Sequence, residues 1–388
     1  MRKFWLILIV AVMSWPLVAQ EVELRSDHPD EYIVREGDTL WDIAGRFLTR
    51  PWQWPAIWQA NPQIDNPHLI YPGDRISLIY VDGQPRLVMD GTRRLSPDIR
   101  RDAASGPIKT IPFSAIAPFL DKPRVVGKDE LAGLPYVVAN EDLRFASAEP
   151  YRAFVRGLEG QVPGTQVTIA RLSYQFEEID RNGRAALRQN LMRGNLGSVP
   201  VGERPVRVGG WGREGKILGY QLWEVARAEV LTLGDPAQLE VLDADFEVRA
   251  GDYVLPLDPY LYDLTFQPRV PSFTIPDGVQ VIGIHGGDHA VGNYQIVAID
   301  IGIEQGVETG HTFSVFHPNH KVRDDFVGGL RGRPVPTGVS GRDVQLPEQF
   351  SGVVMVFRAF DRVSYALVMD TKTGVRVGDH VDHPDRRL

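Results

Sequence analysis

The sequence predicts a multidomain chain: an N-terminal α+β unit of βααβ order, then mostly-β domains built as small barrels or sandwiches. Three observations carry this. A clear amphipathic helical period occurs at residues 40–48, close to the N-terminus. From Tyr136 onward, short runs of Val, Ile, Tyr and Phe alternate with Gly, Pro, Asn and Asp, the pattern of strands and turns. Finally, Gly 38 and Pro 29 suit a turn-rich architecture better than a helical bundle.

Composition narrows the chemistry. Charged residues at 24% and hydrophobic residues at 43% are globular values, so wholesale disorder is not expected. At roughly 100–200 residues per domain, a chain of 388 residues holds about two to four domains. The absence of cysteine excludes disulfide scaffolds, thiolate zinc sites, iron–sulfur clusters, a cysteine nucleophile and a lipid-modified cysteine. A net charge of −8 argues against nucleic acid, whose phosphates need a basic surface.

Residues 1–19 read as a secretory signal peptide. Arg2 and Lys3 form a positive start, 4–12 is an unbroken apolar run, and Pro16 breaks it before Leu17-Val18-Ala19 offers a cleavage site. The run is shorter than the roughly 20 residues that span a bilayer. Cleavage removes Arg2 and Lys3 from 42 cationic residues, leaving 40 against 50 acidic ones, or −10. The expected product is exported and periplasmic, held in place by binding rather than by an anchor.

Residues 31–80 form the first unit. Tyr32-Ile33-Val34 is a short strand, Gly37-Asp38 turns the chain, and Asp38 or Thr39 caps a helix. Leu40, Ile43, Ala44, Phe47 and Leu48 make one helical face, and Pro51 ends it. A second short helix runs from about Pro55 to Ala60, with Asn61-Pro62 closing it. After a loop through Asn66-Pro67-His68, the Pro72-Gly73 turn leads into the strand Ile76-Ser77-Leu78. Trp41 and Trp58 are expected in the core of so small a unit. Trp52 and Trp54 are left open between sugar stacking, a neighbouring domain and the module's own helices.

The run GDTLWDIAGRF at 37–47, then Trp58, Asn61-Pro62 and LIYPGDRISL at 69–78, resembles a LysM domain along its whole length. The resemblance implies binding to N-acetylglucosamine-containing glycans, peptidoglycan or chitin, in a groove between the loop after the first strand and the loop before the second. By position, Gly37, Asp38, Thr39 and Leu40 would form one wall, and Asn66, Pro67, His68, Leu69 and Ile70 the other. Backbone amides and carbonyls suit an acetamide group, and apolar side chains suit its methyl and the sugar face. No cofactor or metal is expected.

Residues 81–134 read as an exposed linker, with a β-hairpin at its start and a short apolar docking segment at 111–120. Two β domains follow, 135–258 and 275–384, joined by a Pro- and Tyr-rich connector at 259–274. The stretch 184–196 is either a helix or an ordered insertion. An internal echo links Val248-Arg-Ala-Gly251-Asp252-Tyr-Val254 to Val375-Arg-Val-Gly378-Asp379-His-Val381, with weaker relatives at 162–167 and 307–313. One turn type leading into a closing strand explains such an echo, with or without duplication.

The runs VGNYQIVAIDIGIEQGVETGHTFSVF (291–316) and GVVMVFRAFDRVSYALVM (352–369) resemble the type IV pilus secretin-associated proteins. That family pairs LysM with a C-terminal region similar to a flagellar basal-body ring protein. The resemblance implies an adaptor between the outer-membrane secretin and peptidoglycan, arrayed as a homo-oligomer or recruited in multiples by a symmetric partner.

A LysM module also serves hydrolases, so a wall hydrolase or hydrolase activator is the alternative. His285 and His289 stand four apart, with His311, His317 and His320 nearby, but two glycines and no glutamate fill the first spacing. Solvated loop histidines are the expected reading, and a solvated turn that of Asp324-Asp325. G-x-S-x-G, S-x-x-K and the phosphate-binding GxxxxGK[ST] pattern are absent, and no carboxylate pair stands out for glycoside cleavage. The expectation is a protein that is not an enzyme.

Overall fold

A capping box starts the first helix. Thr39 Oγ1 accepts the Asp42 amide while the Asp42 carboxylate accepts the Thr39 amide. Helix α1 (Leu40–Phe47) then buries Leu40, Trp41, Ile43, Ala44 and Phe47. A 3-10 turn at Pro51–Gln53 leads into α2 (Trp54–Trp58). Strand β1 (Glu31–Ile33) pairs antiparallel with β2 (Arg75–Val81), and β2 with β3 (Gln84–Met89). Asp82 and Gly83, at φ +51° and +77°, make the left-handed pair of a type I′ hairpin. The module sheet therefore runs past residue 80, and Leu87 sits in the module core.

The computed structural model describes residues 22–58, 70–89, 111, 113–120, 123–141, 151–178, 216–257, 266–285, 289–319, 321–324 and 342–386. The expected signal peptide, residues 66–69 and the stretch 184–196 lie outside them. Among the described residues, no helix is long and apolar enough to cross a membrane.

Much of the expected linker is ordered structure. Helix α3 (Phe113–Leu120) is followed by β4 (Pro123–Val126) and α4 (Lys128–Gly133). Pro118 did not prevent the helix, and β4 joins the edge of the first β domain. That domain comprises β5 (Tyr136–Asn140), β6 (Tyr151–Arg156), β7 (Gln166–Glu177), β8 (Ile217–Thr232), β9 (Ala237–Ala244) and β10 (Tyr253–Pro256). The strands pair in the order β5-β6-β9-β8-β7-β10, and β10 returns to β5, so the sheet closes into a barrel.

The second domain has β11 (Val281–His285), β12 (Ile296–Ile299), β13 (Thr312–His317), a side hairpin β14 (Lys321–Asp324) and β15 (Arg342–Gln345), then β16 (Gln349–Ala359), β17 (Ser364–Thr371) and β18 (His380–Asp382). Its order is β11-β12-β17-β16-β13-β18, and a Gln280–His380 bridge closes the ring. Strand for strand this is the topology of the first barrel. The sandwich alternative is not realised.

The sequence echo is a matched pair of turns. At 249–252 and 376–379 the glycine stands third with φ +90° and +91°, as a type II turn requires. The Asp252 and Asp379 carboxylates each accept the amide three residues back, at 2.7 and 2.9 Å. Each turn is bonded to its own first strand: Gly251 N–H to Val137 and Gly378 N–H to Val281, both at 2.8 Å. The turns thus close their barrels. Asp252 also accepts a bidentate pair from Arg171, and Asp379 meets His317 at 2.5 Å in the corresponding place.

Both faces of the central second-barrel strands are buried. Val297, Ile299, Val354, Val356, Ala366 and Val368 fill that barrel. Their alternates Ile296, Ala298, Met355, Phe357, Tyr365 and Leu367 belong to a larger cluster that extends into the first barrel. Burial on two faces explains the unbroken apolar runs, which lack the alternation of a half-exposed sheet. At the junction, Phe119 of α3 lies 5.6 Å from Trp223, 4.8 Å from His285 and 5.9 Å from Tyr365. The buried Tyr365 hydroxyl donates to Gln221 Oε1 at 2.6 Å. Helix α3 therefore docks on both barrels. The described end of the connector is also fixed: Arg269 bridges His311, and Phe266 is buried.

Candidate functional site

The 37–40 wall is built by two local devices. Gly37 takes φ +89° in the turn 35–38, and Asp38 Oδ2 ties that turn by accepting both the Arg35 amide and the Tyr32 hydroxyl at 2.8 Å. Burial, then the neighbouring Asp38, holds the Tyr32 hydroxyl above its ordinary pKa. The capping box takes over at Thr39, whose Oγ1 donates to Asp42 Oδ2 at 2.7 Å. Below it, the amides of Leu40 and Trp41 fall in the first turn of α1, where the helix supplies no acceptor. Those donors suit the carbonyl of an acetamide.

Side-chain roles divide the expected groove residues. Leu40 and Ile70 are 2% and 0% exposed and lie in the module core with Val34, Ile43 and Phe47. They offer backbone to a ligand, not side chain. Asp38 and Thr39 are committed to the two local devices. Gly37 contributes its backbone alone. Asn66, Pro67, His68 and Leu69 lie outside the described residues, so the structure brings together one wall and the end of the other. Behind Ile70, the turn 71–74 repeats the geometry of the turn 35–38: Gly73 has φ +94° and Asp74 Oδ2 accepts the Tyr71 amide at 2.8 Å.

The tryptophans divide unexpectedly. Trp54 and Trp58 fill the module core. Trp41, expected beside Trp58, instead joins Trp52 in the large cluster shared with the barrels. The reason is position: Trp41 follows Leu40 on α1, and its side faces the second barrel's contacts. Those contacts are Tyr294 Oη donating to Asp42 Oδ1 at 2.6 Å, and an Arg50–Asp385 ion pair at 2.8 Å with both side chains under 20% exposed. Nothing in the sequence pattern marks Tyr294, Asp385 or Asp42 as partners across such separations.

Three of the five histidines, His285, His311 and His317, are not on solvated loops. His285 lies on β11 against Phe119, and His317 lies on β13 beside Asp379. His311 is buried, and its Nδ1 accepts the Glu308 amide at 3.0 Å. Burial, then Arg269, lowers its pKa, in keeping with a neutral acceptor ring. His289 is exposed, and His320 lies outside the described residues. Asp324 ends β14 opposite Arg342 rather than standing in a turn. Among the described residues, no group of three or more His, Cys, Asp or Glu is arranged to hold a metal ion.

A small α+β module presenting backbone donors at a helix start, beside two β-barrels, has the layout of a binding module. Residues 32–78 match the LysM domain family, whose members bind the N-acetylglucosamine of peptidoglycan. The N-terminal module is therefore a LysM domain, a kind of module that binds peptidoglycan. A relative, the uncharacterized protein YqbP of Bacillus subtilis (strain 168), is 37% identical over 60 residues. The match covers 13% of this chain and 27% of YqbP, so the chain spans about a quarter of that relative.

Proposed function

We propose that the protein is a non-enzymatic periplasmic adaptor that fastens an outer-membrane secretin, of the type IV pilus kind, to peptidoglycan. The observation that carries this reading is a LysM domain docked by specific contacts onto one of two barrels of the same topology. A docked module passes the position of the glycan to the barrels, which is what an adaptor needs. Support for the partner comes from the resemblance of 291–316 and 352–369 to secretin-associated proteins. Support for export comes from the signal-peptide pattern of 1–19. A single LysM groove holds glycan weakly, and several copies arrayed by a ring-shaped partner would supply the avidity.

Two measurements test the proposal. The mature protein, incubated with purified sacculi, is expected in the pellet, and soluble N-acetylglucosamine tetramer is expected to release it. Chromatography of the supernatant is expected to show no liberated muropeptides, and their appearance would establish the hydrolase instead. In cross-linked envelopes the secretin is expected to co-purify with the protein, and its absence rejects the adaptor role.

A further inference from the structure

The wall of the LysM groove is not supported by the LysM module alone. Tyr294 belongs to the turn that enters β12, where its amide donates to Val368 O at 2.7 Å and the flanking Gly292 amide donates to Gln295 Oε1 at 2.6 Å. This holds Tyr294 at φ +62°, a left-handed conformation that is an outlier for a bulky residue and costs free energy. Strain of this kind persists where the surroundings fix it, and here the result is a hydroxyl delivered to the start of α1. It donates to Asp42 Oδ1 at 2.6 Å and also interacts with the Thr39 side chain. The second oxygen of the same carboxylate, Oδ2, accepts the Thr39 amide at 3.2 Å and the Thr39 hydroxyl at 2.7 Å. A relay therefore runs from the second barrel through one carboxylate into the groove wall.

The Arg50–Asp385 pair joins the same two bodies by a separate route that does not pass through Thr39. It supplies a contact of the dock that can be cut without touching the relay.

We propose that Tyr294 is a positioning residue for glycan binding: by fixing the Asp42 carboxylate it holds the Thr39 turn, and with it the 37–40 wall, in the geometry that receives an N-acetylglucosamine unit. The inference rests on the peptidoglycan-binding reading of the LysM domain. The second barrel is then part of the recognition machinery and not merely its mount. Without the phenol hydroxyl, Asp42 is free to turn towards solvent, and Thr39 loses the acceptor that orders its amide and hydroxyl.

The experiment is calorimetric titration of the mature full chain with N-acetylglucosamine tetramer, with the melting temperature recorded for every variant. Tyr294→Phe is expected to weaken binding about fivefold to tenfold, part of the worth of one hydrogen bond to a charged group, because the bond acts on the glycan through the wall and not directly. Asp42→Asn cuts the relay at its other end and is expected to weaken binding similarly, so it carries the test should Tyr294→Phe fold poorly. The double variant is expected to lose no more than the worse single one, a non-additivity that a general loss of stability would not produce. Asp385→Ala is expected to lower the melting temperature while leaving affinity within about twofold of the parent. Parental affinity in both relay variants, additive losses in the double variant, or an equal loss in Asp385→Ala would each overturn the proposal. A parent chain that binds neither tetramer nor sacculi overturns the peptidoglycan reading itself, and this inference with it.

Discussion

Asp300 carries a proton that the unfolded chain gives up several pH units lower. Its carboxyl is partly buried in a cleft of about 430 Å³ between the barrels, where Oδ1 accepts the Gln280 amide at 2.5 Å. Burial, opposed in part by that amide, pushes its pKa up to about 7, and Glu178 adds to the rise. Lys216 and Arg362 also line the cleft. Because the folded pKa exceeds the unfolded one, this stabilisation is full below about pH 4 and lost as pH rises through 7. Thermal melts between pH 5 and pH 8 are therefore expected to show a fall in stability that Asp300→Asn reduces, by up to about 3 kcal/mol, the two pH units of the shift that lie above pH 5. An unchanged pH slope in that variant would place the carboxyl in water. A contrast in chemistry stands at the barrel-closing turns, where the guanidinium of Arg171 serves Asp252 and the imidazole of His317 serves Asp379, whose own pKa burial raises.

Among the elements, the recurring glycine turns differ in what surrounds them. A Cβ at Gly378 would meet nothing within 4 Å, whereas one at Gly310 would stand 2.3 Å from the Gln267 carbonyl oxygen. Gly378→Ala is expected to cost about 1–2 kcal/mol, the strain of its left-handed backbone alone. Gly310→Ala is expected to cost clearly more, because the backbone around 267 must move; equal denaturation midpoints would contradict this. The turns themselves are legible in sequence, since a glycine before Asp or a small polar residue forces a limited geometry. Strands β12, β16 and β17 are legible too, as β-branched and aromatic runs. Which face meets which partner is not, because both faces are apolar and the alternation that would orient them is missing. Strand β3 is half legible: Asp82-Gly83 announces the hairpin expected at the start of the linker, but Gln84, Pro85 and Arg86 look like linker, and pairing with β2 overrides composition. The LysM wall is half legible. Its capping residues announce themselves, but Leu40 and Ile70 give no sign that they serve through backbone only.

At the scale of the whole molecule, Phe119 is a side chain that both barrels share. Phe119→Ala removes ring contacts to Trp223, His285 and Tyr365 and is expected to cost about 3–5 kcal/mol, read by calorimetric or denaturant unfolding. If the barrels are coupled through this helix, a transition that is single in the parent splits into two in the variant. One transition with an unchanged midpoint would show that α3 is only a surface strap. No sequence pattern predicts this arrangement, because an eight-residue apolar helix interrupted by proline carries no record of what it faces. The same holds for the dock between the module and the second barrel, whose partners Asp42 and Tyr294 are 252 positions apart.

That dock reroutes mechanical load. The covalent path from the LysM domain to Tyr294 passes through the entire first barrel, but the Asp42–Tyr294 and Arg50–Asp385 contacts connect the two ends directly. Tension between a wall-bound glycan and whatever grips the second barrel is borne first by these noncovalent contacts, in parallel rather than through the first barrel. Under such a load they are expected to part before a strand unzips, and the first barrel would then enter the line of force as a spare length of chain.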